Sequence, residues 1–188
     1  MKRYLTIFML LGVMLSCSLA SATIVRSMSL KEMTQTANVI VRATVSNQTA
    51  RWNTDGTRIY TVTQLQVAEV LKGPVAIGEA IRVRQIGGSV GEITQMVSGN
   101  ARFTPGEEVL VFLDRDEKRS LHYVIGMAQG KYSINRTTSP ATVQRNMHGM
   151  TTLPTPGRSV LAHPAHPTSG HSLLPEIEAR IRGSLNTP

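Results

Sequence analysis

The chain holds one cysteine in 188 residues, and that residue, Cys17, falls inside an apolar leader. Cleavage of the leader after Ala22 leaves no cysteine, which excludes disulfides, thiolate metal sites and a cysteine nucleophile together. Aromatic residues are scarce, at 4% of the chain, with a single tryptophan at position 52. Interleaved stacking platforms of the kind that bind single-stranded nucleic acid are therefore not expected. There is no run of five or six like charges either, although the formal net charge is +8. The basic residues, among them Arg42, Arg51, Arg58, Lys72, Arg82, Arg84, Arg102 and Lys118, are scattered as on a solvated surface, so no specific nucleic-acid partner is expected. Attraction to an anionic envelope surface is the milder consequence of the same charge.

What the sequence does have begins at its N-terminus. Lys2 and Arg3 precede an apolar run from Leu5 to Leu15, followed by Ala20-Ser21-Ala22. A basic start, an apolar stretch too short for a stable membrane anchor and a small-x-small cleavage site describe a signal peptide. The expectation is an exported protein, periplasmic or extracellular, starting at Thr23 and without a transmembrane segment after cleavage. Loss of Lys2 and Arg3 lowers the net charge by two, to +6. The alternative is a lipid anchor on Cys17, for which Met14 and Leu15 stand where such sites usually carry leucine and a small residue.

From about Ser27 to Asn135 the pattern is that of a small β protein. Ser29-Leu30-Lys31-Glu32 predicts a capping box that opens a short helix, with Leu30 and Met33 inward. Val39 to Val45 is rich in β-branched residues and predicts a strand; Asp55-Gly56 marks a turn before a long strand from Ile59 to Leu71. Residues Glu79 to Gln85 alternate, placing Ile81 and Val83 on one face and Arg82 and Arg84 on the other. Val109 to Leu113 is an unbroken apolar run. Tyr123–Ile125 and Lys131–Ile134 predict a final strand pair joined around Gly126 and Gly130. Short strands with little helix predict an all-β fold, a small OB-like antiparallel barrel over residues 23–136, because closure removes exposed sheet edges.

Residues 137–172 carry Pro140, Pro154, Pro156, Pro164 and Pro167 among Ser, Thr and Gly, and predict a flexible or extended tail. Residues 173–184 predict a short helix with Pro175 in its first turn and Gly183 as its stop. Its stripe of Leu174, Ile177 and Ile181 suits docking on the barrel, or else a partner.

Ala37-Asn38-Val39-Ile40-Val41, Val67 to Gly73, Gly87-Gly88, and Phe103 with Gly106 to Leu113 together resemble a family of small exported bacterial proteins of unassigned function. The resemblance spans about Leu30 to Ile134. More distantly, the order of helix and strands is similar to the netrin-like modules, OB-type barrels that include the tissue inhibitors of metalloproteases. That likeness implies a barrel and a protein partner such as a protease. The zinc-binding N-terminal cysteine of those inhibitors has no counterpart, since Thr23 would be the mature N-terminus.

Candidate chemistry is sparse. Gly87-Gly88-Ser89-Val90-Gly91 matches G-x-S-x-G, with Asp114, Asp116 and His122 following in order, so a hydrolase using Ser89 is the enzymatic alternative. The segment after Gly91 is short for the helix that such an elbow needs. His148, His163, His166 and His171, with Met147 and Met150, offer imidazole and thioether ligands, giving a metal-binding tail as a further alternative. Prolines around His163 and His166 disrupt helical ligand spacing, and no selected metal site or cofactor is expected. His122 is expected to be a surface strand residue. Glu107-Glu108 and the charged stretch from Asp114 to Arg119 show no arrangement that would separate two pKa values. The leading expectation is a non-catalytic binding module for an envelope or secreted protein. Trp52 and Arg51, in the loop after the first strand of the barrel, are its contact residues, because loops of OB-type barrels often carry the binding surface.

Overall fold

A computed structural model describes residues 23–147, 150–153 and 171–186. Residues 1–22, read above as a leader and containing Cys17, and His148, His163 and His166, lie outside the described residues.

Strand β1 (Thr23–Arg26) precedes helix α1 (Leu30–Thr36), whose N-cap Ser29 accepts a hydrogen bond from the Glu32 amide at 3.2 Å. Half of the expected capping box forms. The Glu32 carboxylate turns instead to Arg26.

Two long strands follow, β2 (Val39–Trp52) and β3 (Ile59–Lys72), then β4 (Ala80–Ile86), the hairpin β5 (Gly88–Val90) and β6 (Ile93–Gln95), β7 (Glu108–Asp116) and β8 (Leu121–Val124). β2, β3 and β4 form an antiparallel meander; β7 returns beside β2, and β8 pairs with both β7 and β4. The ring runs β2-β3-β4-β8-β7 and back to β2. Its one parallel contact, Val83 opposite His122, closes it. The expected OB-like barrel is present, and its first strand is twice the expected length.

Three further strands extend the sheet outside this ring, while β1 with its partner and the β5–β6 hairpin form separate two-stranded sheets. β9 (Lys131–Asn135), β10 (Thr142–Gln144) and β12 (Ser172–Leu173) add side by side beyond β7, and β11 (Met150–Leu153) runs parallel to β1. The stretch read as a tail therefore contributes strands. β8 and β9 do not pair with each other as expected. Both lie antiparallel to β7, β8 beside Leu113 to Asp116 and β9 beside Val109 to Val111. Gly126 at φ 63° and a 3-10 turn, Met127–Gly130, carry the chain out and back between them.

β7 explains its own apolar run. Val109, Val111 and Leu113 pack inside the barrel with Val39, Val41, Leu65, Ile81 and Val83. Leu110 and Phe112 face the other way, into a second core with Leu30, Met33, Ile40, Tyr132, Ile177 and Ile181. Both faces are buried, so alternation with polar residues is lost.

That second core is roofed by helix α2 (Leu174–Leu185), whose Leu174, Ile177 and Ile181 are buried. Burying each such side chain contributes about 1.5–3 kcal/mol. The helix passes Gly183 and ends at Leu185, with Asn186 as its C-cap, instead of stopping at the glycine. An ion cluster joins α2 to the barrel. Arg42 on β2 binds Glu69 at 2.5 Å and Glu108 at 2.9 Å; Arg182 binds Glu69 at 2.6 Å and Arg136 binds Glu108 at 2.5 Å. The Arg136 guanidinium, ahead of Arg42, holds the Glu108 carboxyl below its ordinary range. Glu178 on α2 lies 3.7 Å from Arg42, too far for a hydrogen bond, and burial followed by the like charge of Glu69 raises its pKa.

The Gly87-Gly88 pair has a steric reason. Gly88 has φ +133°, and a Cβ there would stand 2.3 Å from Thr61 Oγ1 and 3.0 Å from Ala50 Cβ. Only glycine lets the β5–β6 hairpin lie this close to β2 and β3.

Candidate functional site

A groove of about 300 Å³ opens on the outside of the barrel, lined by Arg51, Trp52, Asn53, Thr54, Tyr60, Val62, Arg82, Arg84, Arg119 and Leu121. Strand pairing brings these distant residues together. Arg51 stands opposite Tyr60 across β2 and β3, and Val62 stands opposite Arg84 across β3 and β4. Because side chains alternate along a strand, Tyr60 and Val62 share a face, as do Arg82 and Arg84, while Ile81 and Val83 point into the barrel. The expected two-faced reading of β4 is what the structure shows.

The rims are the β2–β3 loop and the β7–β8 connection. Asn53 shapes the first rim: its Oδ1 accepts from the amides of Thr57 at 2.8 Å and Arg58 at 3.0 Å, and Gly56 takes φ 65°. This is an Asx-type closure of a short turn, in which a side-chain carbonyl supplies the acceptor that the backbone cannot. At the second rim Arg119 binds Asp116 at 2.8 Å, and Arg82 Nη2 reaches the carbonyl of Ser120 at 3.4 Å. Leu121, first residue of β8, completes this wall.

Four of the lining residues are arginines and none is acidic. All twelve Asp and Glu residues lie in the described chain, and apart from the Asp116–Arg119 pair at the rim the ion pairs found among them gather elsewhere. Glu69 and Glu108 hold the Arg42 cluster, Glu32 holds Arg26, and Glu107 holds the buried Lys131. Of the groove arginines only Arg119 makes a carboxylate ion pair among the described residues. Arg84 stacks on the Tyr60 ring, its guanidinium carbon 3.7 Å from the ring centroid. This contact fixes one guanidinium over the Tyr60 ring at the groove.

Trp52 and Arg51, the two residues the sequence suggested, both line this groove. Trp52 is the last residue of β2 rather than a loop residue, and is 36% exposed. Sequence reasoning missed Tyr60, Arg82, Arg84 and Arg119 as members of one site. The outward face of Arg82 and Arg84 was visible in the alternation, but its meeting with Trp52 depends on barrel closure.

The other candidates stand apart. Ser89 lies in the β5–β6 hairpin, with no strand-turn-helix around it, and its hydroxyl is bonded to that of Thr94 at 2.8 Å. His171 is exposed, and among the described residues no three His, Cys, Asp or Glu side chains are placed to hold a metal ion. No helix among them is long and apolar enough to cross a membrane.

His122 corrects the sequence reading: it is 5% exposed, not a surface residue. It sits at the closing seam between β4 and β8, where Nδ1 lies 3.4 Å from the Arg82 carbonyl and Nε2 has no hydrogen-bond partner among the described residues. Burial, reinforced by Arg115, pushes its pKa below 6.5 against the smaller opposing pulls of the Arg82 carbonyl and Glu79. Protonation is thus harder in the folded than in the unfolded chain. The folded state keeps its full stability above the unfolded pKa and loses it as pH falls below about 6.5 toward the depressed folded value. Urea denaturation between pH 7.5 and 5 is expected to show falling stability that His122→Phe flattens. Equal slopes for both proteins would show that the imidazole takes up its proton without opposing the fold.

Comparison with models of known protein families gave no match, and comparison with curated proteins gave none either.

Proposed function

We propose that the protein is an exported, non-catalytic binding module and that the arginine groove is its binding surface. The observation that supports this reading is the segregation of charge: four arginines and no carboxylate line one concave surface that also holds the only tryptophan. The position supports it as well. The groove lies on the second and third strands of the barrel ring, β3 and β4, between the connections that follow its first and fourth strands, the place where OB-type barrels present ligand surfaces. The expected ligand is anionic, because three of the four guanidinium ions, those of Arg51, Arg82 and Arg84, have no carboxylate partner among the described residues and lower their electrostatic energy by binding an anion. An envelope or secreted protein, such as a protease, fits this reading where it presents an acidic surface.

The test is comparative capture. Immobilised wild-type protein and a Trp52→Ala variant are exposed to envelope and secreted fractions of the source organism, and the bound material is identified. An anionic component held by the wild type and at least tenfold depleted on the variant is the expected result, a difference of about 1.4 kcal/mol. Capture that is the same on both proteins would place the binding surface elsewhere.

A further inference from the structure

The geometry points to an acidic sugar unit of a polysaccharide, one that carries a carboxylate on its ring, as the occupant of this groove; the inference rests on the groove being the binding surface. Three features of the site select this class. First, the cations are arginines, whose planar forks match a carboxylate through paired N–H donors better than the point charge of a lysine would. Second, of the two aromatic residues among the described lining, Trp52 alone has no guanidinium recorded over its ring. Trp52 is partly exposed, whereas the Tyr60 ring is covered by the Arg84 guanidinium at 3.7 Å. Third, Val62 and Leu121 place apolar surface among the arginines.

A sugar ring has the complementary surface. Its axial C–H groups form a weakly polarised apolar face that lies flat on an indole, whose face is electron-rich. Its carboxylate projects from the ring edge, where the guanidinium groups stand. A groove of about 300 Å³ is at the small end of ligand pockets, the scale of one or two sugar rings. Single-stranded nucleic acid carries the charge but stacks successive bases on successive aromatic platforms, and this groove offers one. A folded protein partner generally buries about 800 Å² on each side, so it would engage these arginines only as one part of a larger contact, whereas a sugar unit fills the groove by itself.

The test is calorimetric titration of the purified protein with polygalacturonate, neutral dextran and an oligothymidylate in one buffer at moderate salt. Saturable binding of polygalacturonate is expected, with dextran not bound and oligothymidylate at least tenfold weaker. Trp52→Ala is expected to weaken polygalacturonate at least fivefold, and Arg82→Gln with Arg84→Gln at least tenfold. Arg51→Gln, at an exposed position, reports on the same groove if the double variant fails to fold. Oligothymidylate binding equally or more tightly, and still requiring Trp52 and the arginines, would overturn the sugar assignment and leave the groove as the binding surface. Polygalacturonate binding that is indifferent to every substitution would overturn the groove itself. Absence of polygalacturonate binding would overturn the sugar class, and the capture comparison then judges the groove separately.

Discussion

Replacing Phe112 by alanine is expected to lower the free energy of unfolding by about 3–5 kcal/mol, the range for deleting a large buried aromatic side chain. Phe112 is fully buried on the outer face of β7, where it meets the Tyr132 ring at a centroid distance of 6.1 Å and lies in the core beneath α1 and α2. β7 is the strand on which the fold turns: it pairs with β2, β8 and β9 and contributes side chains to both cores. Small domains have about 5–15 kcal/mol in total, so the variant is expected to lose a large share of that and to shift its urea midpoint accordingly. Ile77→Ala is the control, at a position 71% exposed where a change within about 0.5 kcal/mol is expected. A Phe112→Ala midpoint as close to wild type as that of the control would show that the helices do not seal this core.

The second large effect belongs to the groove. Arg82→Gln combined with Arg84→Gln is expected to weaken an anionic ligand at least tenfold and to flatten the dependence of its affinity on salt. A hydrogen bond to a charged group contributes about 1.5–3 kcal/mol when sheltered and about 0.2–1 kcal/mol as an exposed pair. Arg82 is exposed and Arg84 half-buried, so the lower part of that span applies to the first and the upper part to the second. Together they reach the 1.4 kcal/mol of a tenfold loss. The cost to the fold should be small, about 1 kcal/mol, because neither residue makes a carboxylate ion pair in the described chain and what is lost is the Arg84–Tyr60 stack and the 3.4 Å bond from Arg82 to the Ser120 carbonyl. The check is titration at two salt concentrations beside a thermal melt. A lost affinity with an unchanged salt slope would mean that the arginines act by shape and not by charge.

Much of the barrel was legible because its strands obey period two. Ile81 and Val83 against Arg82 and Arg84 required no tertiary information, and Ser29 announced α1 by the hydrogen bond that a serine side chain makes to a helix amide. Where both faces are buried the pattern loses its direction. Val109 to Leu113 could be recognised as a strand but not as the one shared by two cores. The pairing of β8 and β9 was misread because a glycine-bounded turn usually joins neighbours, whereas the segment from Gly126 to Gly130 returns the chain to the same edge of β7. His122 looked like a surface residue because its burial comes from a contact between β4 and β8 that is distant in sequence. The groove was half legible for the same reason. Trp52 is conspicuous as the only tryptophan, but Arg119 joins it only after the ring closes.

That single tryptophan gives the most direct measurement, since its emission reports from inside the groove without a label. The fluorescence of wild-type protein and of the Arg82→Gln, Arg84→Gln variant is followed as polygalacturonate is added. A saturable change in Trp52 emission for the wild type, absent or at least tenfold right-shifted for the variant, is the result this account requires. Binding seen by calorimetry while Trp52 emission stays constant would place the ligand on another surface and contradict it.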